Sequence, residues 1–178
     1  MTTITPRPPR SPIRRTEVRL APAGPALALV AVLATACNPA STRPAFAPYP
    51  EDQSILLTGP VATITSTVAG WMASQGIHTE WISAEDGYVE STWYDTDTHQ
   101  NTDGTGDLGA LEATFKVRVW VDPDAPGKSR LTVEAIYRPV ADPSRTERDQ
   151  ERAAPPGSGG AVLAQQLVDE MQKKFGGS

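Results

Sequence analysis

Cys37, the only cysteine of the chain, is the residue best placed to undergo covalent chemistry. It follows an apolar run of 11 residues, Ala26–Ala36, and precedes a stretch rich in proline, serine and threonine. Arginines precede the run, and a basic region followed by an apolar region and small residues is typical of a secretory signal peptide. Because the chain has no second cysteine, an internal disulfide or a resolving thiol is excluded. Cys37 is therefore a candidate processing and modification site.

The sequence LATAC at residues 33–37 resembles the lipobox of bacterial lipoproteins, in which a leucine and two small residues precede an acylated cysteine. The leucine lies one place further back than in the usual pattern. The ATA at 34–36 is also a site for the ordinary signal peptidase, and both peptidases cut before Cys37. We predict a signal peptide at 1–36 and a Pro-rich tether at 37–54. The resemblance implies that lipidation of Cys37, including palmitate, anchors this tether to a membrane.

A second interpretation keeps the leader uncleaved. Residues 20–42 contain no charged side chain, although prolines 22 and 25 interrupt their first part. A spanning helix needs roughly 20 predominantly apolar residues, so a permanent span would be short. The preceding arginines would then stay in the cytoplasm. In that case the chain is a signal-anchored accessory subunit of a larger membrane protein complex.

Charge is distributed unevenly along the chain. Five arginines against one glutamate give residues 1–36 a charge of +4, so the remainder carries −9 of the total of −5. An acidic domain repels nucleic-acid backbones, and the sequence shows no basic stripe with interleaved aromatic residues. We therefore predict no nucleic-acid partner.

Two other groups of residues are candidates for metal binding or catalysis. The loop at 95–107 carries four aspartates, but aligning Gly104 with the glycine of a calcium loop puts His99 first and Ala110 twelfth, where carboxylates are needed. His78 lies two residues from Glu80, but no motif supplies a nucleophile beside them. We predict a turn in the loop, a surface pair on the strand, and no metal, cofactor, small-molecule substrate or enzymatic activity.

Apolar periodicity predicts the elements that must position these residues. Period-four spacing indicates a helix over 60–75 and a second over 163–175. Residues 77–83 and 88–95 flank an Asp-Gly turn and indicate a hairpin. Residues 111–121 and 130–138 alternate between apolar and polar side chains and indicate half-buried strands. The charged, proline-containing stretch at about 139–160 indicates a disordered loop.

The resulting expectation is an α+β two-layer sandwich over residues 55–178. Its four-stranded antiparallel sheet carries two helices on one face, in the order α-β-β-β-β-α. A sheet with one apolar face must cover that face, and the two amphipathic helices can do so.

Trp120 is the candidate centre of a partner-binding surface. It shares the polar side of its strand with Lys116 and Arg118, and Tyr88 and Trp93 are candidates to lie nearby across the sheet. An exposed tryptophan grouped with tyrosine and arginine has the composition of an interface hot spot. The alternative is that Trp120 packs on neighbouring side-chain stems or lies beneath residues 139–160. We predict partner binding by Trp120, Arg118, Tyr88 and Trp93.

The segments GWMASQGI, EWISAEDGYVESTWYD, FKVRVWV and LAQQLVDEMQKKF, together with the lipobox and the tether, resemble the helix-grip domains of BamC lipoproteins over about residues 55–175. BamC lipoproteins carry two such domains, and this chain has one. That resemblance implies a non-enzymatic binding or scaffold module in the cell envelope. It further implies a periplasm-facing domain anchored by lipid to the outer membrane. Its partner would be an envelope or membrane protein complex, with outer-membrane protein assembly as the more specific role.

Overall fold

The computed structural model describes residues 41–50, 52–102, 113–140, 142 and 144–177. These residues belong to one compact unit, Ser41–Ser178. The predicted signal peptide and Cys37 lie outside the described residues. Within the described ranges, no helix combines the length and apolar character needed to cross a bilayer.

Eight strands and three helices are found in the described part of the chain. In order they are β1 (Gln53–Thr58), α1 (Val61–Ser74), β2 (Thr79–Ser83), β3 (Tyr88–Ser91), β4 (Trp93–Asp95), β5 (Gln100–Thr102), β6 (Thr114–Ala125), β7 (Lys128–Tyr137), α2 (Glu147–Gln150), β8 (Arg152–Ala153) and α3 (Gly159–Phe175).

All strand pairs are antiparallel. The main sheet runs β1-β7-β6-β3-β2, while β8 also pairs with β7, and β4 pairs with both β5 and β6. The β6–β7 hairpin forms its centre, with Val119 opposite Val133 and Arg118 opposite Glu134. Gly127, at a φ of +74°, lies in the turn that joins the two strands, a conformation that glycine adopts at little cost.

The predicted four-stranded α-β-β-β-β-α sandwich is wrong. The chain builds a larger antiparallel sheet, and a strand, β1, precedes the first helix. The sequence places residues 53–54 in the tether and predicts no element at 55–58, because β1 is short and its partners on β7 lie 70 to 80 residues away. The second arm of the predicted hairpin is also divided, since β3 pairs with β2 whereas β4 pairs with β5.

Alternate residues of the strands meet α1 and α3 in one apolar core. Val117, Val119 and Val121 of β6 belong to it, each at most 3% exposed. The buried residues of α1 are Ile64, Thr65, Val68 and Met72, and those of α3 include Leu163, Leu167 and Met171. Ser158 caps α3 by accepting a hydrogen bond from the Ala161 N–H, which satisfies a donor that the first turn leaves unpaired.

The opposite side of the sheet, predicted to face water, is buried as well. Residues 114–121 of β6 are buried without interruption on both faces. Two segments are held against the polar side of this strand by the contacts described below: residues 41–50, which we call the strap, and residues 147–153. The strap lies within the predicted tether, and residues 147–153 form α2 and β8 where a disordered loop was predicted. The polar face of the sheet is therefore a second interior.

Candidate functional site

The four residues predicted to bind a partner are all buried. Trp120 is 1% exposed, Arg118 4%, Tyr88 0% and Trp93 3%, so the expectation of an exposed Trp120 is wrong. Tyr88 lies opposite Trp120 in the β3–β6 pair, with ring centroids 5.5 Å apart. Trp93 instead packs beneath two cations, with Lys116 Nζ 5.4 Å and Arg138 Cζ 4.5 Å from its ring centroid. Partner binding by these residues stays a prediction.

Beneath the strap lies a set of five buried charged residues, which we call the ionic cluster: Glu90, Lys116, Arg118, Glu134 and Glu151. Arg118 lies at its centre. Its two terminal nitrogens donate to both carboxylate oxygens of Glu151 at 2.7 Å, and its Nε donates to Glu90 at 3.1 Å. Lys116 Nζ donates to Glu90 at 3.1 Å, and Arg118 Nη1 lies 3.5 Å from Glu134. Such bidentate, charge-assisted pairs are the strongest hydrogen bonds in proteins.

The carboxyl groups of the ionic cluster respond differently to burial. Burial opposes ionisation of Glu90 and Glu151, but their partners together outweigh it and lower both pKa values: Arg118, Tyr88 and Lys116 act on Glu90, and Arg118 and Arg148 act on Glu151. Burial dominates at Glu134 and raises its pKa, although Arg118 and Arg148 oppose the shift. Burial together with the hydrogen bond to Glu90 raises the pKa of Tyr88, whose hydroxyl donates to Glu90 Oε2 at 2.6 Å. At neutral pH the phenol is therefore a donor, not an anion.

Four residues of the strap hold it to the domain: Thr42, Arg43, Phe46 and Tyr49. Arg43 Nη1 donates to Asp122 Oδ1 at 2.6 Å, at one end of β6. The Phe46 ring meets the Trp120 ring edge-on at 6.1 Å, and Arg148 Cζ lies 4.1 Å from the Phe46 centroid. The strap is thus enclosed between β6 and the residues of α2.

Tyr49 completes the attachment at the other end of the strap. Its N–H donates to Glu134 Oε1 at 3.2 Å, and its hydroxyl donates to the Glu151 carbonyl at 3.3 Å. The Arg148 guanidinium lies over its ring at 5.0 Å. Near the start of the strap, Thr42 donates from both its N–H and its hydroxyl to Asp86 Oδ2, at 2.7 and 2.6 Å.

Comparison of the chain with protein-family models and with curated proteins gives no match.

One donor in this region has no partner. Trp120 Nε1 is buried and donates to no acceptor among the described residues. A buried donor left unpaired costs about 1–3 kcal/mol. Trp120 and Asp122 also line a cleft of about 440 Å³, whose other lining residues, 41 and 43–48, belong to the strap. The cleft and the unpaired donor therefore involve the same side chain.

The other candidate residues, those of the His78/Glu80 pair and the described part of the acidic loop, have partners within the domain. Glu80 pairs with Lys116 Nζ at 2.8 Å, and the recorded bonds of His78 run through its backbone to Asn101 and Thr92. Asp95 accepts the N–H groups of Asp97 and Thr98, and these bonds lower its pKa. Part of the acidic loop lies outside the described residues. Among those described, no three His, Cys, Asp or Glu side chains converge on a metal-sized site.

The sequence reasoning missed the strap and its contacts to Arg148 and Glu151. Arg43, Phe46 and Tyr49 recur every third residue, a spacing visible in the sequence. The spacing alone does not predict the contacts, because Asp122, Trp120 and Glu134 lie far along the chain and no nearby motif identifies them as partners.

Proposed function

We propose that this chain is a non-enzymatic cell-envelope lipoprotein. In this proposal Cys37 carries the lipid, the folded domain faces the periplasm from the outer membrane, and the domain acts as a binding or scaffold module. The observation that carries the proposal is the strap, because the chain that follows the proposed lipidation site is attached side chain by side chain to the domain.

The attachment of the strap to the domain supports an anchor in which few residues separate the lipid from the domain. Thr42 follows Cys37 by five residues, a covalent reach of at most ~18 Å at full extension. Because Thr42 is bonded to Asp86 in the β2–β3 turn, acylation of Cys37 would hold this domain near a bilayer surface. A short, attached anchor suits a module that presents a fixed surface to a neighbouring membrane complex.

The chemistry of the ionic cluster supports a structural role in place of a catalytic one. Glu90, Glu134 and Glu151 are paired with three cations, Lys116, Arg118 and Arg148, so the ion pairs lie within the domain. Networks of this kind shift pKa values without supplying a reactive group. The resemblance to BamC-type lipoproteins makes outer-membrane protein assembly the more specific form of the proposal.

Metabolic labelling tests the lipid anchor. Cells expressing the wild-type chain should incorporate labelled palmitate into it, and Cys37→Ser should abolish the label and release the protein from washed membranes. Ser41→Ala is the matched control, because it changes a nearby hydroxyl and leaves the thiol. Intact mass then separates the alternatives: an uncleaved leader would support the signal-anchored subunit, and a cleaved, unlabelled chain would contradict lipidation.

Affinity purification from detergent-solubilised membranes tests the binding role. A tagged chain should recover an envelope protein complex in stable proportion, and Cys37→Ser should reduce the recovery by removing the protein from the membrane. Recovery of the chain alone, from membranes where it is acylated, would contradict a scaffold function.

A further inference from the structure

We propose that the surface beneath the strap, formed by Trp120, Asp122, Glu134, Arg148 and Glu151, is a recognition site for an extended peptide that carries a cation followed by aromatic residues three and six positions later. The strap, with Arg43, Phe46 and Tyr49 at those positions, is its resident intramolecular ligand. This inference deepens the proposed binding function by naming the surface and the kind of partner that fits it.

The spacing of the contacts supports a polyproline-type ligand. A polyproline II helix has three residues per turn, so every third side chain lies on the same side. Arg43, Phe46 and Tyr49 follow this period, and each of them contacts the domain. Between them, Ala45 and Ala47 are more exposed than Phe46. Prolines at 44, 48 and 50 favour such an extended conformation before any contact forms.

The surface beneath the strap offers complementary chemistry at each of the three positions. The Asp122 carboxylate accepts the cation. The first aromatic ring lies against Trp120, with the Arg148 guanidinium over its face, and the same guanidinium covers the second ring. A guanidinium over an aromatic face is attracted by the negative charge density of the ring. The order of charges and rings along this surface therefore selects both the composition and the direction of the peptide.

The unpaired Trp120 Nε1 indicates that the strap is an imperfect ligand. Within the described residues, the strap supplies no acceptor to this buried N–H, although Phe46 packs against the Trp120 ring and strap residues line the cleft beside it. A peptide whose backbone carbonyl reaches Nε1 would form a bond that the strap does not form. A partner can thus compete with the strap even though the strap is covalently attached.

The strap can leave without disrupting the sheet. Its residues pair with no strand, and its recorded bonds to the domain use side chains on one or both partners. Arg118 keeps Glu90 and Glu151 when the strap is absent, and Glu134 keeps both Arg118 and Arg148. The binding surface is therefore organised independently of its resident ligand.

Fluorescence anisotropy with a labelled peptide of residues 41–52, STRPAFAPYPED, tests the proposal. The protein is the full chain in detergent, either wild type or Phe46→Ala/Tyr49→Ala, which weakens the resident strap. The peptide should bind the double variant saturably and at least tenfold more tightly than the wild type, because the attached strap competes at a high effective concentration. A peptide with both aromatic residues replaced by alanine is the control and should bind at least tenfold more weakly.

A charge reversal keeps the test valid if the double variant does not fold. Asp122→Arg should favour a peptide with aspartate in place of Arg43 over the natural peptide, whereas the wild-type chain should show the opposite preference. Absence of saturable binding to a folded variant, or equal binding of the control peptide, would overturn the proposal. Neither result depends on palmitate at Cys37, so failure of this inference and failure of the lipid anchor are distinguishable.

Discussion

Arg118 and Glu151 form a bidentate ion pair in which both donor-to-acceptor distances are 2.7 Å. The pair joins the centre of β6 to the residue that links α2 and β8, and both side chains are nearly inaccessible to water. It therefore fastens residues 147–153 to the sheet, and with them Arg148, which covers the strap.

Removal of Glu151 should be strongly destabilising. Glu151→Ala leaves the Arg118 cation buried without its closest partner, and breaking a buried pair in this way costs about 3–5 kcal/mol. Chemical denaturation at neutral pH should show that loss in the free energy of unfolding. Glu170→Ala is the matched control, since it removes a partly exposed partner of Lys174 and should cost less than about 1 kcal/mol. A Glu151→Ala loss no larger than the control would contradict a stabilising role for the pair.

Trp120→Ala should lower the melting temperature of the domain. Trp120 is almost fully buried between Phe46 and Tyr88, and truncation of a buried tryptophan costs about 3–5 kcal/mol. Thermal unfolding followed by circular dichroism measures the change. Trp120→Phe, which keeps an aromatic ring against both neighbours, should lose less. An unchanged melting temperature for Trp120→Ala would instead agree with the exposed surface expected from the sequence.

The stability of the domain should depend on pH through Glu134. Because its pKa in the folded chain is raised above the ordinary value of 4.5, the folded state binds this proton more tightly than the unfolded state. Its contribution is present below pH 4.5 and is lost as the pH rises through the raised pKa. The lowered pKa values of Glu90 and Glu151 act in the opposite sense below pH 4.5.

Glu134→Gln isolates this effect. Glutamine keeps an acceptor for the Tyr49 N–H but does not titrate, so the histidines and other carboxyl groups cancel in the comparison. The difference in unfolding free energy, wild type minus variant, should fall as the pH rises from 4.5. Urea titrations at several pH values measure it, and a flat or rising difference would show that Glu134 is not the group responsible.

Two glycine substitutions on the two long helices should have opposite signs. Gly70 lies on an exposed side of α1 with open space around it, so Gly70→Ala should stabilise the domain by up to about 1 kcal/mol. A methyl group on Gly160 of α3 would overlap the buried Phe115 ring, so Gly160→Ala should cost about 1–3 kcal/mol. Thermal melts of the two variants provide the comparison, and a stabilised Gly160→Ala would mean that α3 packs less closely on β6 than described.

The elements with strong periodicity could be predicted from the sequence. The predicted helices at 60–75 and 163–175 correspond to α1 and α3, and the alternating strands correspond to β6 and β7. Each of these elements buries a regular set of apolar side chains, which is the signal that periodicity detects. Strand β1 lacks that signal, because it is short and pairs only with residues far along the chain.

The burial of the polar face could not be read from the residues that form it. Lys116, Arg118 and Glu134 carry the composition of a solvated surface, and alternation with valine indicates one wet side. They are buried because they neutralise one another across strands and because polar segments from distant positions cover them. Long-range ion pairing leaves no pattern in the nearby sequence. The strap and residues 147–153, which cover this face, have the proline-rich or charged composition that is typical of a tether or a disordered loop. The candidate site was therefore found only in part.

The contacts of Tyr49 also set an order of events during synthesis. Its bonds reach Glu134 and Glu151, 85 and 102 positions further along the chain. Although the strap leaves the ribosome early, the residues that bind it are not all present until residue 151 has been made. The first part of the domain to emerge therefore waits for its partners, and until then its aromatic side chains stay uncovered.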